Sequence, residues 1–397
     1  MSSETGLSAP INLRRLGRVR VLQALAENSP MSRADLVGQT GLARASVGGV
    51  IFDLIAAGIV QETMDADSGP APPPTGRPPQ MLSLVPAAAH AIGVDIGHDH
   101  VRAVLTNLVG SPCWDRSIRL AVDLDPKRAL GAAVELIEAA IANTGTPREK
   151  ILGIGVGIAC PVSANGDLAT DGIMPGWAGI RPADELISRT GFPTRVVNDA
   201  NAGVIAERRY GAAREASDVL YLRLSSGIGA GVVCAGRVLL GAGGVAGELG
   251  HVTVEPNGAL CRCGNRGCLE TVATPQAVAS LLTRSWGQPV SEDDLAALVL
   301  AADRGTLRAI EDAGDAVGRV LAPAVLLLNS ELIVIGGDLA AAGEPLFEPM
   351  RRTLERGVMS SHARGLRIVR SALGDSAGVR GAAALILDDA PRLLSTT

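Results

Sequence analysis

A cluster of soft metal ligands in residues 248–270 constrains this chain more than any other sequence feature. The segment reads E-L-G-H-V-T-V-E-P-N-G-A-L-C-R-C-G-N-R-G-C-L-E and contains His251, Cys261, Cys263 and Cys268. Three thiolates and one imidazole suit tetrahedral zinc, and four protein ligands leave no position for a catalytic water. Half of the six cysteines fall within these residues. The segment therefore predicts a structural zinc site; the alternative is a loop with ordinary buried or free cysteines.

Two glutamates frame this cluster. Glu248 lies three residues before His251, and Glu270 lies two residues after Cys268. Closure of the loop around a metal brings its ends together, so both carboxylates can converge on one polar ligand. A zinc-bound imidazole also has a second nitrogen that can hydrogen-bond outward. The alternative is that both glutamates are solvated surface residues.

The motif E-x-G-H followed by C-x-C-G-x-x-G-C-x-E resembles that of the ROK family (repressors, open reading frames and sugar kinases). In that family, the first glutamate, the histidine and the later glutamate hold sugar hydroxyls, and the same histidine binds zinc. The resemblance therefore assigns sugar binding to Glu248, His251 and Glu270, and zinc to that histidine and the three cysteines. It covers nearly the whole chain, from about residue 13 to residue 387.

Composition limits the class of protein and its compartment. A chain of 397 residues, 47% of them apolar, is long enough for two or three domains. The sequence has no apolar run of about 18 residues and no signal-peptide core at its start, which predicts a cytoplasmic protein that spans no membrane. Clustered thiols in that compartment favour metal binding over disulfides. The scattered Cys113, Cys160 and Cys234 are predicted to be small core residues.

Positive charge is concentrated near the amino terminus. Residues 11–60 carry six arginines against three acidic residues, a net charge of +3, which leaves −8 for the rest of a chain whose total is −5. The overall negative charge argues against a general nucleic-acid coat protein. The uneven distribution instead indicates a small basic module joined to an acidic body.

This basic region has the pattern of a winged helix-turn-helix. Helices are predicted over 12–27, from Ser32 to about residue 40 and over 43–57, and strands over 59–63 and 80–84 flank a proline-rich wing loop. Arg44 and Ser46, on the second helix of the turn, are predicted to contact base edges in the major groove. Arg77, at the wing tip, is predicted to enter the minor groove. The alternative is a small helical dimerisation domain with solvated arginines.

The remaining pattern indicates two similar α/β lobes. Three strands with short turns precede alternating helices and strands, and the same order repeats in the second half, as in actin-like, ribonuclease-H-like folds. The predicted fold class is therefore α/β, with a winged helix-turn-helix ahead of a two-lobed actin-like domain. The predicted domains are the winged helix-turn-helix over 1–85, a first lobe over 86–200 joined by a C-terminal helix over 375–397, and a second lobe over 201–374 that carries the zinc loop 248–270.

Asp199 follows a predicted buried strand, at a position where α/β folds bind ligands. In the kinases that this sequence resembles, the matching aspartate takes the proton of the sugar hydroxyl, and the preceding asparagine contacts the sugar. The resemblance carries these roles to Asp199 and Asn198. The alternative for Asp199 is helix capping.

The phosphate-binding motifs are degenerate by comparison. The family motif D-x-G-G-T reads Asp95-Ile96-Gly97-His98-Asp99 here, without the second glycine and the threonine. At about 4 Å and an effective dielectric of 20, the Asp99 carboxylate would repel a phosphate oxygen by roughly 4 kcal/mol. Ser225 replaces the first glycine of the second loop, whereas Gly336-Gly337 on the adenosine side is intact.

The sequence thus predicts a sugar-responsive transcriptional regulator, a repressor of carbohydrate-utilisation genes, and not an enzyme. Its predicted partners are operator DNA, a sugar or sugar phosphate effector, and further copies of itself in a dimer or tetramer. Its predicted cofactor is a structural zinc ion. The alternative is an ATP-dependent sugar kinase of the ROK hexokinase or glucokinase type with an added DNA-binding domain and Asp199 as base.

Overall fold

Three β-sheets organise residues 9–63, 80–169 and 172–396, the part of the chain described by this computed structural model. The first sheet belongs to an amino-terminal module. Its elements are α1 (Ala9–Asn28), β1 (Met31–Ser32), α2 (Arg33–Thr40), α3 (Arg44–Ala56), β2 (Val60–Thr63) and β3 (Met81–Leu84). The strands pair antiparallel in the order β1-β3-β2.

Local signals fix the two helices of the turn. The Ser32 hydroxyl accepts the Asp35 N–H while the Asp35 carboxylate accepts the Ser32 N–H, which is the predicted capping box. Gly41 ends α2 with a φ of 67°, a conformation that favours glycine. Leu36 and Ile51 from the two helices are fully buried. The bounds predicted for α2, α3, β2 and β3 agree with the structure to within one residue.

The first lobe follows directly. Its elements are β4 (His90–Ile96), β5 (His100–Asn107), β6 (Pro112–Arg119), α4 (Pro126–Thr144), β7 (Ile151–Ile158), α5 (Pro182–Thr190), β8 (Thr194–Asn198) and α6 (Asp199–Tyr210). The sheet order is β6-β5-β4-β7-β8, with an antiparallel meander on one side of β4 and parallel strands on the other. All seven residues of β4 are buried, as expected of a central strand.

The second lobe repeats this topology. Its elements are β9 (Val219–Leu224), β10 (Ile228–Cys234), β11 (Arg237–Val238), α7 (Pro275–Trp286), α8 (Glu292–Leu300), α9 (Arg304–Leu328), β12 (Leu332–Gly336), α10 (Glu344–Gly357), α11 (Ser360–Ala363) and β13 (Arg367–Arg370). The sheet order, β11-β10-β9-β12-β13, is equivalent to that of the first lobe. The predicted fold class, α/β with two actin-like halves after the amino-terminal module, is confirmed.

The carboxyl-terminal helix predicted to join the first lobe over 375–397 is present, but it is divided in two. It forms α12 (Ala377–Leu387) and the short α13 (Ala390–Leu393), with Pro391 in the first turn of α13. The backbone of α12 lies directly on β4 and β7, because a Cβ on Gly93 would come within 2.0 Å of a carbonyl oxygen of α12. After the break, α13 contacts α1 of the amino-terminal module. The segment therefore joins the first lobe to that module.

Two simpler expectations can also be compared with the structure. None of the helices in the described ranges has the length and apolar character needed to cross a bilayer. Cys160 is buried and Cys234 is partly buried, but Cys113 is exposed. The prediction that Cys113 is a core residue is wrong, because β6 is an edge strand whose side chains mostly face solvent.

Candidate functional site

The three cysteines and one histidine of residues 248–270 come together as potential metal ligands. Their sulfur and imidazole nitrogen atoms all lie within 4.8 Å of one another. The Cys263 and Cys268 sulfurs are 3.7 Å apart, and the Cys261 sulfur is 3.6 Å from Nδ1 of His251. In a tetrahedron, Zn–S bonds of about 2.3 Å separate the sulfurs by about 3.8 Å. The arrangement therefore fits a zinc ion.

Burial makes a bound cation chemically reasonable at this cluster. Burial raises the pKa of the Cys268 thiol to about 12, so a thiolate at this position needs a nearby positive charge. The loop backbone is also closely packed: Gly267 has a φ of 66°, and a Cβ on it would lie 1.6 Å from the Glu255 carbonyl oxygen. Only glycine fits there, which explains one of the glycines among the ligands.

The orientation of His251 links the ligand cluster to the cleft. Nδ1 faces the Cys261 sulfur, whereas Nε2 lies 3.8 Å from Oε2 of Glu248. The same ring can therefore bind a metal through one nitrogen and present the other to a ligand. At 3.8 Å the two atoms are not hydrogen-bonded, so the outward hydrogen bond expected from the sequence stays a prediction.

All five residues predicted to bind sugar line one cavity between the lobes: Asn198, Asp199, Glu248, His251 and Glu270. They come from the β8–α6 junction of the first lobe and from both ends of the metal loop. Burial, followed by the negative charges of Asp199 and Glu270, raises the pKa of Glu248 to about 7. Oε2 of Glu270 accepts the Ile228 N–H at 3.1 Å. The structure thus gathers carboxylates that can accept hydrogen bonds from a polyhydroxyl ligand.

The helix cap at this junction is Asn198, not Asp199. Oδ1 of Asn198 accepts the N–H groups of Ala200 and Asn201, and its amide donates to the Cys160 carbonyl oxygen. Capping therefore occupies the Asn198 oxygen and leaves one amide hydrogen for a ligand. Asp199 is the first residue inside α6; one of its carboxylate oxygens accepts the Ala200 N–H at 2.8 Å, and its side chain also lines the cavity.

Arg223 is a site residue that sequence analysis missed. Its guanidinium lies 2.7 Å from Oδ2 of Asp199 and 3.8 Å from Oδ2 of Asp95. Burial raises the pKa of Asp199 more than the guanidinium lowers it, whereas at Asp95 the guanidinium and His100 outweigh burial and lower the pKa. Two carboxylates of the first lobe thus share one cation of the second lobe. A lone arginine in the otherwise apolar strand β9 was the available signal.

His98 and Arg262 were also missed as site residues. Arg262, between two of the cysteines, places Nε 3.0 Å from Oε1 of Glu270 and one terminal nitrogen 3.3 Å from each ring nitrogen of His98. The imidazole in turn lies 2.7 Å from the Asp123 carboxylate. Charged and aromatic groups from both lobes therefore meet at the edge of the cavity.

The nucleotide side of the cleft carries carboxylates where phosphates would bind. The Ser225 hydroxyl donates to Asp338, so the second loop is already bonded to an anion. Asp99 has a partner that the sequence analysis did not include, because its carboxylate lies 2.8 Å from Nδ1 of His100, which offsets part of the expected repulsion. Burial, together with Asp99 and Asp338, raises the pKa of Glu292 nearby. Because of these carboxylates, this half of the cleft is poorly suited to the negatively charged phosphates of a nucleoside triphosphate.

The amino-terminal module presents a separate surface. Arg44 and Ser46 are both exposed on the first turn of α3. Phe52, two turns later, is 75% exposed, which is unusual for an aromatic side chain with no partner in the described residues. Arg77 and the predicted wing loop lie outside the described residues.

Comparison with known proteins agrees with the family motif. A model described as "ROK family" matches residues 91–389. The chain is 28% identical over 390 residues to a putative xylose repressor of Caldicellulosiruptor sp. (strain Rt8B.4), covering 95% of this chain and 96% of that protein. A glucokinase of Thermotoga maritima is 38% identical over 248 residues, covering 58% of this chain and 78% of its own. A solved ROK family transcriptional regulator, a homologue of the E. coli MLC protein, is 27% identical with a TM-score of 0.79, covering 96% of this chain and 98% of its own.

Proposed function

The chain belongs to the ROK family, and from this premise we propose that it is a sugar-responsive transcriptional regulator that represses its target genes. The observation that carries the proposal is a winged helix-turn-helix joined to two kinase-like lobes in one chain. The putative xylose repressor and the ROK transcriptional regulator match 95% and 96% of this chain. The glucokinase matches 58% of this chain, a smaller share than either regulator.

The module is suited to operator DNA. In the helix-turn-helix arrangement, the second helix lies in the major groove and its first turn faces base edges, which are the positions of Arg44 and Ser46 on α3. Arg77 in the wing is proposed to enter the adjacent minor groove. One winged module contacts few base pairs, so we propose a dimer or tetramer that binds paired half-sites.

The cleft is suited to a sugar or sugar phosphate effector. Glu248, Glu270 and Asp199 offer carboxylate oxygens to hydroxyl donors, while Asn198 and Nε2 of His251 complete a polar wall. Hydrogen bonds with a charged partner are worth about 1.5–3 kcal/mol each, enough to hold a small uncharged ligand. We propose that these five residues bind the sugar effector and that the protein represses genes of carbohydrate utilisation.

A structural zinc ion is proposed to hold one wall of this site. His251, Cys261, Cys263 and Cys268 fit four-coordinate zinc, which leaves no open position for catalysis. The ion would keep both ends of the metal loop together, and with them Glu248 and Glu270. Its contribution is therefore to orient the sugar-binding carboxylates.

A sugar kinase remains the alternative, because Asp95, Asp199 and Gly336-Gly337 are intact. Two contacts count against it. The candidate base Asp199 is paired with Arg223 at 2.7 Å, and Asp338 occupies the hydroxyl of Ser225 in the second phosphate loop. Asp199 in a kinase must instead be free to take a proton from the sugar, with the second loop open to the phosphates.

The test is fluorescence anisotropy with the full-length protein and DNA from upstream of its own gene, at a stated salt concentration. Wild type is expected to bind this fragment specifically, and a panel of mono- and disaccharides should contain one that changes its affinity. Glu270→Gln should weaken binding of that sugar by roughly ten- to a hundred-fold and leave DNA affinity without sugar unchanged. Absence of specific DNA binding, together with sugar phosphorylation in the presence of ATP and magnesium, would replace this proposal with the kinase.

A further inference from the structure

One side chain connects the two walls of the sugar cavity. Arg262 belongs to the second lobe, where its Nε lies 3.0 Å from Oε1 of Glu270 and one terminal nitrogen donates to the Ser226 carbonyl oxygen at 3.4 Å. Its other terminal nitrogen reaches the first lobe, 3.3 Å from both ring nitrogens of His98 and 3.6 Å from Oδ2 of Asp123. We call Arg262, Glu270, His98 and Asp123 the cleft latch.

Both ends of the cleft latch are fixed to rigid parts of the molecule. On the first lobe, the Asp123 carbonyl oxygen accepts the Gly176 N–H, and the preceding carbonyl oxygen accepts the indole N–H of the fully buried Trp177. On the second lobe, Arg262 lies between two proposed metal ligands, Cys261 and Cys263. The guanidinium therefore joins two frameworks, and the lobes cannot separate at this edge while its contacts persist.

The cavity behind the cleft latch is too small for a sugar. Its volume is about 40 Å³, although it is lined by two members of the cleft latch, His98 and Glu270, and by the other four sugar-binding candidates. That volume suits a few water molecules, since sites for small organic ligands are roughly 300–1,000 Å³. A monosaccharide can therefore enter only after the walls move apart.

Glu270 is where the cleft latch and a ligand meet. Oε2 of Glu270 accepts the Ile228 N–H and Oε1 is paired with Arg262, so a ligand hydroxyl that bonds to Oε1 must share that oxygen with the guanidinium or displace it. The Glu270 side chain is only 10% exposed, so water screens its contact with Arg262 weakly. A hydroxyl donor and the guanidinium thus compete for one oxygen atom.

We propose that Arg262 sets the ligand affinity of the cleft by competing with a polyhydroxyl ligand for Glu270, and that release of Arg262 allows the lobes to separate. This inference rests on the proposed function of the cleft as a sugar site. A ligand must supply hydroxyl donors that replace the guanidinium. Ligands with fewer hydroxyls leave the cleft latch closed and are rejected, so the latch contributes selectivity as well as affinity.

The experiment compares full-length wild type with Arg262→Gln, Asp123→Asn and Arg266→Gln. Arg266→Gln is the matched control, because Arg266 lies in the same loop but is exposed and donates only to the Gly258 carbonyl oxygen. Asp123→Asn weakens the latch from the opposite lobe, away from the metal ligands. Zinc content of each protein is measured first, so that a variant that has lost the metal is recognised. Calorimetry with D-xylose, D-glucose and N-acetyl-D-glucosamine then measures affinity, and hydrogen–deuterium exchange without sugar measures opening.

Removal of the latch should tighten sugar binding by about tenfold in Arg262→Gln and by less in Asp123→Asn, the effect of one charge-assisted contact that no longer has to be broken. Amides around residues 97–99 and 120–124 should exchange faster in both variants, and Arg266→Gln should match wild type. Weaker sugar binding in zinc-loaded Arg262→Gln would overturn the inference, because Arg262 would then be a sugar ligand. Unchanged affinity and exchange in both variants would also overturn it. If no protein binds these three sugars or any other sugar of the mono- and disaccharide panel, although wild type binds its DNA, the effector-site proposal fails and this inference fails with it.

Discussion

Loss of the Arg223 charge should destabilise the protein more than loss of any surface arginine. In Arg223→Gln, the carboxylates of Asp95 and Asp199 keep their positions but lose the cation that they share. The three side chains are buried, with 15% of Arg223, 13% of Asp199 and 1% of Asp95 exposed. Removing one partner of a buried ion pair costs about 3–5 kcal/mol, because the other charge stays buried without compensation. We therefore expect a loss of about 3–5 kcal/mol in the free energy of unfolding at pH 8.

The pH dependence gives this prediction its sign. Without the guanidinium, Asp95 loses a contact that lowers its pKa, and the pKa of Asp199, which burial already raises, rises further; the folded variant is therefore penalised as pH rises above the unfolded value of about 3.9. Below it, the carboxyl takes up a proton in the folded variant and the missing cation matters less. The difference between wild type and Arg223→Gln should therefore be largest at pH 7–8 and shrink toward pH 4–5.

Urea unfolding followed by circular dichroism at several pH values measures this difference. Arg195→Gln is the control, because Arg195 forms an exposed ion pair with Asp389 and should change stability by no more than about 1 kcal/mol. A loss below about 1 kcal/mol in Arg223→Gln, or a larger loss that does not change with pH, would refute the shared-cation argument. In that case Asp199 would be free of Arg223 in solution, and the kinase alternative would gain support.

Three further predictions concern the metal, the DNA surface and a histidine. Purified protein should contain about one zinc ion per chain by metal analysis. Cys263→Ser should lose the zinc and bind sugar more weakly, with little change in global unfolding. Wild-type protein that is folded and binds sugar without zinc would contradict the site. Arg44→Ala should weaken operator binding by about 1–3 kcal/mol and relax the preference for one base at one position of each half-site. Replacement of the exposed Arg284 by alanine should do neither. An unchanged base preference in Arg44→Ala would exclude α3 as the recognition helix. Burial lowers the pKa of His100, but contacts with Asp95 and Asp99 outweigh burial and raise this pKa to about 9. The protonated imidazole therefore stabilises the fold by at most about 3 kcal/mol, fully below about pH 6.5, and this stabilisation is lost as pH rises through 9. In urea unfolding, His100→Gln should differ from wild type at pH 6 and converge on it near pH 9.5, and a difference that does not change with pH would contradict this.

Much of the fold could be predicted because its signals are local. The capping box of Ser32 and Asp35 and the left-handed Gly41 fix the ends of α2 within a few residues of sequence. The buried strand β7 is a continuous apolar run, β4 and β9 are mainly apolar, and a repeated strand order implies a repeated lobe. The division of the predicted helix over 375–397 has a local cause too, because Pro391 lies in the first turn of α13.

The metal ligands and the sugar-binding candidates belong to the part that sequence determines. Cys261, Cys263 and Cys268 lie within eight consecutive residues, so one loop can bring them together without a contact distant in sequence. The two glutamates at its ends follow from the same closure. For Asn198 and Asp199 the strand-to-helix junction could be predicted from the sequence, but only the tertiary structure shows that Asn198 caps α6.

Only the tertiary structure decided how charges pair across the cleft. Arg262 and His98 are 164 residues apart in sequence, and Arg223 meets Asp95 and Asp199 only because β9 of one lobe faces β4 and α6 of the other. A periodicity or a motif describes the neighbours of a residue along the chain, whereas an ion pair depends on the distance and burial that result when two lobes dock. For that reason the residues that line the cleft could be predicted from sequence, but the ion pair between Asp199 and Arg223 and the ion pair between Glu270 and Arg262 could not.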